Sequence, residues 1–179
     1  MKSKFWGILF LFLPIVGYTQ GISFSIGGVY GINFQHPGLN TRIYYLANEN
    51  ICFGAEFSYF IPKKEFSNSH ATTTFLSEFN FNFHYIFEVN HYLGLYPLVG
   101  YNYSVETERI LDNKGQNEVE IKQASGINFG AGFHVPIGPI SIFTEYSYVL
   151  RFGDINDHVI SLGMFYALDF KKEKEKEHK

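Results

Sequence analysis

Six ionisable residues, Arg42, Glu56, Glu78, His84, His134 and Glu145, fall on the polar side of segments that alternate apolar and polar residues. Three carboxylates and a histidine are the residue types of a metal or proton site. The same set with Arg42 also makes a hydrogen-bonded interior, because buried charges must be paired or neutralised. The spacing favours the second reading: neither Cys nor His occurs at metal-ligand spacing, and a single cysteine, Cys52, excludes an intramolecular disulfide or a multi-thiol site. No metal and no cofactor is expected. Ser147 and Glu145 share a face with His134, which assembles the residue types of a hydrolase. His158 and Ser161 lie in opposite phase and point to opposite faces. A trio on the polar faces of packed segments has no access for lipid, so no catalytic residue is assigned.

The elements that must position these residues are strands. In "EFNFNFHYIF", residues 78–87, Phe79, Phe81, Phe83, Tyr85 and Phe87 share one face, and Glu78, Asn80, Asn82 and His84 share the other. The same period of two holds over 21–34, near 39–47, 51–61, 92–105, 124–135, 140–150 and 158–170. In the first of these Ile22, Phe24, Ile26, Tyr30, Ile32 and Phe34 form the apolar set. "NEN", "EVNH", "PIGP" and "QHPG" read as short turns. Residues 62–73, 106–123 and "RFGDIND" read as longer, more charged loops.

Eight strands joined by alternating short and long connections predict an all-β chain: an eight-stranded antiparallel transmembrane β-barrel in an up-and-down meander. Volume decides which face looks inward. An eight-stranded bore is just wide enough for side chains to fill, and five or six large residues per strand would overfill it. Gly, Ser and Asn with scattered charges fit. The greasy face therefore meets lipid, and a spanning sheet in hydrocarbon must have no free edge. The composition agrees: 19% aromatic, 46% hydrophobic and only 17% charged, with a net charge of −3 that points to no nucleic acid. A soluble, lipocalin-like binder is the rival that this volume argument disfavours.

Residues 1–20 read as a signal peptide: "MKSK", an apolar run "FWGILFLFLPIV" and the exit "GYTQ", with cleavage near Gln20 or Gly21. The barrel is expected over 21–170, and the Lys/Glu-rich 171–179 as a disordered periplasmic tail. Over 21–170 the chain resembles the small outer-membrane β-barrel proteins of the OmpA-transmembrane-domain and OmpX-like kind. Its last strand, "SLGMFYALDF", is similar to their assembly signal, with Ser161, Gly163, Tyr166, Leu168 and terminal Phe170. It departs from many of them in continuing past that aromatic. The resemblance implies the outer membrane of a Gram-negative-type cell, with outer-membrane lipid and the barrel-assembly machinery as partners. A non-enzymatic structural or surface-interaction role is expected, with loops 62–73 and 106–123 contacting an extracellular ligand. The alternative on the same barrel is a lipid-modifying enzyme.

Overall fold

The computed structural model describes residues 21–67, 70–112, 117–153 and 155–169. The expected signal peptide, Phe170 and the tail 171–179 lie outside the described residues. Among those described, nine strands make eight staves: β1 (Gly21–Gly31), β2 (His36–Leu46), β3 (Ile51–Phe66), β4 (His70–Tyr85), β5 (Phe87–Asn90), β6 (Leu93–Asp112), β7 (Asn117–Ile137), β8 (Ile140–Arg151) and β9 (Asp157–Asp169). Every pairing is antiparallel, and the order β4-β3-β2-β1-β9-β8-β7-β6-β5 is closed by β4 pairing with β6. β4 and β5 are one stave, interrupted at Ile86. With His84 opposite Leu98 and Phe87 opposite Leu95, Tyr96 falls across from Ile86 and Pro97 across from Tyr85, beside the break. Proline has no N–H to give to a ladder, which accounts for the gap.

Alternation sets every face. The aromatics of β4, Phe79, Phe81 and Phe83, are exposed, whereas Glu78, Asn80, Asn82 and His84 are buried. Phe24, Ile26, Phe57, Val99, Phe129, Ile160 and Met164 carry the same apolar belt round the other staves. The short connections at one end are held by side chains. Asn48 Oδ1 accepts from the amides of Asn50 and Ile51, at 2.9 and 2.8 Å, and Asn90 Oδ1 from that of Tyr92, at 2.8 Å. Gly138 supplies the left-handed residue of the β7–β8 turn.

The other end differs from the sequence reading in three ways. The first turn is residues 32–35 rather than "QHPG", and His36, Pro37 and Gly38 already pair in β2. That turn carries Phe34 over the bore, where it packs on a buried cluster of Val29, Phe60, Leu76, Val149 and Val159. Phe34 is therefore a plug and not a lipid-facing residue. Most of 62–73 and 106–123 is strand, because β3 and β4 pair out to Phe66↔Ala71 and β6 and β7 out to Leu111↔Asn117. Since β4 also pairs with β6 as far as His70↔Asp112, the two hairpins form one four-stranded sheet standing above the rim. β2 meets β3 only up to Gly38↔Phe60, and β8 meets β7 only up to Gly126↔Arg151.

Closure gives a direct test. Ser23 on β1 lies opposite Ala167 on β9, and directly opposed residues have Cβ atoms about 4.5–5.5 Å apart. In a Cys52→Ser background, Ser23→Cys with Ala167→Cys should form an intramolecular disulfide in the folded state. An open sheet would leave both thiols free to alkylation.

Candidate functional site

The bore holds two charge clusters at different heights. In the one nearer the short turns, the Arg42 guanidinium on β2 donates to both carboxylate oxygens of Glu145 on β8, at 2.9 and 3.1 Å. It also lies 3.5 Å from Glu56, its cross-strand partner on β3. Arg42 Nε donates to Asn40 Oδ1 at 2.5 Å, and the Phe143 ring lies 4.5 Å beneath the guanidinium. Tyr44 and Asn82 both donate to Glu56, the latter at 2.8 Å, and Tyr96 donates to Glu145 at 3.2 Å. His84 lies 3.0 Å from the Tyr44 hydroxyl and stacks on Tyr96, centroids 4.9 Å apart. Arg42, Glu56, Glu145, Tyr44 and Tyr96 are all buried.

The upper cluster joins Glu78 to Arg151, a residue that the sequence reading places in a loop. Arg151 ends β8, is buried, donates to the Ile155 carbonyl at 2.9 Å and stacks over Phe34 at 5.0 Å. Asp157, also unforeseen, is fully buried and accepts from the amides of Asn33 and His158, both at 2.8 Å. Between the clusters asparagines link the staves: Asn128 donates to Asn82 and Asn102 to Asn80, each at 2.7 Å. The alternation places these asparagines inward, but pairing across the bore depends on register between strands far apart in sequence.

Of the six residues singled out, Arg42, Glu56 and Glu145 come together with His84 beside them, Glu78 belongs to the upper cluster, and His134 stands apart. His134 is half-buried near the short turns, its ring 6.2 Å from Tyr96 and edge-on to Phe165 at 5.5 Å. Two glycines make room for this stack. A Cβ at Gly132 would lie 2.5 Å from the Tyr96 hydroxyl, and one at Gly94 2.6 Å from His134 Nε2.

Two chemistries can be weighed against this geometry. Glu56, His84 and Glu145 have donor atoms within 4.8 Å of one another, a spacing that suits a cation. Their atoms are already engaged by Arg42, Tyr44 and Tyr96, and a cation there would face a guanidinium. The hydrolase trio is divided between separate cavities. His134 lines one of about 60 Å³ open to the short-turn end, and Ser147 and Glu145 line one of about 10 Å³ between the clusters. Glu145 is committed to Arg42, and no hydrogen bond joins the three among the described residues.

No protein-family model matches the chain, and the search of curated proteins finds no match. Solved structures do match. Ail, the attachment invasion locus protein of Yersinia pestis, is 19% identical with a TM-score of 0.59, over 84% of this chain and 99% of that one. The N-terminal β-barrel domain of Pseudomonas aeruginosa OprF is 11% identical with a TM-score of 0.60, over 84% and 98%. A major outer membrane protein of Thermus thermophilus is 11% identical with a TM-score of 0.63, over 83% and 98%.

The interior ties make two predictions. Arg42→Ala leaves two carboxylates without their cation and should cost about 3–5 kcal/mol in urea unfolding from detergent. Gly132→Val drives a branched side chain into the Tyr96 ring and should cost about 1–3 kcal/mol by the same measurement. With a closed antiparallel ring of eight staves, a girdle of exposed apolar side chains and a packed polar bore, this chain has the fold of the small outer-membrane β-barrels.

Proposed function

We propose that this chain is a non-enzymatic protein of the outer membrane of a Gram-negative-type cell, acting by surface contact through the sheet that stands above its rim. The observation that carries the reading is the contrast between the bore and that sheet. Among the described residues the bore is closed at mid-height by ion pairs and at its upper end by the Phe34 plug, an arrangement that does not suit passage of a solute or entry of a lipid. The projecting sheet is the part that meets other molecules, and rigid scaffolds commonly hold their binding elements there. The apolar belt suits lipid, and the short turns suit a periplasmic end. The last strand, with Ser161, Gly163, Tyr166 and Leu168, and Phe170 beyond the described residues, would serve as the signal for the barrel-assembly machinery.

Ail has been solved in complex with the heparin analogue sucrose octasulfate. That ligand class does not suit the mouth-facing side of the sheet here. Alternation and register put Glu65, Glu106, Glu108, Glu118 and Glu120 on that side, with Lys63 and Lys122 among them. Lys122 donates to Glu108 at 3.1 Å, and this hydrogen bond holds its pKa above the usual lysine value. A cationic or neutral partner fits that side better than a polyanion.

Refolded in detergent, the full chain should migrate faster on a denaturing gel unboiled than boiled, with a β-sheet circular dichroism spectrum. A chain that is soluble without detergent, or mostly helical, defeats the membrane reading. Incubated with outer-membrane lipid, the folded barrel should release no acyl chains. Release that is lost in Ser147→Ala or His134→Ala would establish the enzyme instead.

A further inference from the structure

The projecting sheet has two unlike faces, an acidic one towards the mouth and a second turned away from it. Rows across the sheet follow from register. Lys64 lies opposite Thr73, Thr73 opposite Arg109, and Arg109 opposite Val119, all on the outward face. The row towards the tip holds Phe66 and Leu111, and the row towards the barrel Phe75 and Ile121. Phe66 is 82% exposed and Ile121 60%, although this surface lies beyond the belt. No acidic residue among those described stands on this face. The five glutamates are on the other, because each is one residue out of phase.

We propose that this outward face seats the phosphorylated headgroups of a glycolipid in the surrounding leaflet, with Lys64 and Arg109 as its phosphate contacts. The inference rests on the membrane reading above and adds the ligand and the residues. Three observations favour that occupant. The face rises directly from the lipid-facing staves, one row of Tyr59, Ser77, Val105 and Gln123 above the belt, so whatever surrounds the belt borders it. Its two cations are separated by two strand spacings, about 9–10 Å, and neither is paired with a carboxylate among the described residues. Arg109 is held over the Phe75 ring at 5.0 Å, which fixes a planar donor set suited to phosphate oxygens.

Height selects a glycolipid. Arg109 lies six residues beyond Tyr103 on β6, and Tyr103 stands opposite the belt residue Phe79. At about 3.3 Å per residue and a tilt of roughly 40°, it stands about 15 Å further from the membrane centre. Phosphates on a sugar headgroup reach that level, whereas those of a simple phospholipid lie beside the hydrocarbon. Around them, the apolar residues Phe66, Leu111, Val119 and Ile121 pack against sugar-ring faces and the exposed backs of neighbouring headgroups.

The full chain is inserted into phosphatidylcholine vesicles with and without lipopolysaccharide bearing only its phosphorylated core. The temperature at which the fast-migrating form is lost is then compared. Wild type should gain about 5 °C from the glycolipid. Lys64→Glu with Arg109→Glu should lose at least half of that gain while keeping the wild-type midpoint in phosphatidylcholine alone. Glu108→Gln with Glu120→Gln, on the opposite face, should retain the gain. A double variant that keeps the whole gain, or a wild type with none, overturns the proposal. A chain that never yields a fast-migrating form in any vesicle fails earlier, at the membrane reading, and takes this inference with it.

Discussion

A charge inside an eight-stranded barrel has no solvent to escape into, so it must be paired or hydrogen-bonded within the bore. Arg42 meets that demand by reaching from β2 to Glu145 on β8, while Glu56 leans in from β3. Higher up, Arg151 on β8 reaches Glu78 on β4. The Arg42–Glu145 and Arg151–Glu78 ties connect staves that share no ladder, and they cross at different levels. Everything else inside is arranged around them. Asparagines fill the space between, tyrosines add hydrogen bonds to the carboxylates that arginine pairs, and glycines thin the wall where a ring must lie flat. Removing one partner leaves a buried charge uncompensated, so the interior is held together more by the penalty of disruption than by net attraction.

Much of this is legible in the sequence. Phe79, Phe81 and Phe83 with Asn80 and Asn82 between them fix both the strand and its faces, and volume alone sends the aromatics outward. What escapes is wherever local pattern and tertiary setting diverge. Phe34 keeps the phase of the lipid-facing set, but a turn begins at Ile32 and carries it over the bore instead. Arg151 and Asp157 sit in a polar run between segments, and only the end of β8 and start of β9 make them interior. Phe60 and Leu76 lie on polar faces as exceptions, and they become the floor of the plug.

The charged stretches 62–73 and 106–123 read as loops because charge outweighs pattern there. "NEVEIK" nevertheless alternates, with Val119 and Ile121 against Glu118, Glu120 and Lys122, which is a strand signal with its polar side made acidic. Within the bore, the alternation names the glutamates but cannot pair them. Glu78 and Glu145 are indistinguishable by pattern, and only the register of distant strands gives them different arginines.

The projecting sheet is built from β3, β4, β6 and β7, whereas β1, β2, β8 and β9 end near the rim. The rim is thus tall on one side and low on the other. A body of revolution would greet its surroundings equally from every direction, but this molecule has a front and a back. Anything approaching across the low side meets an acidic wall, and anything pressing from behind meets apolar residues and two cations. Rotation about the membrane normal, a neutral motion for a symmetric barrel, here changes which surface faces a given neighbour.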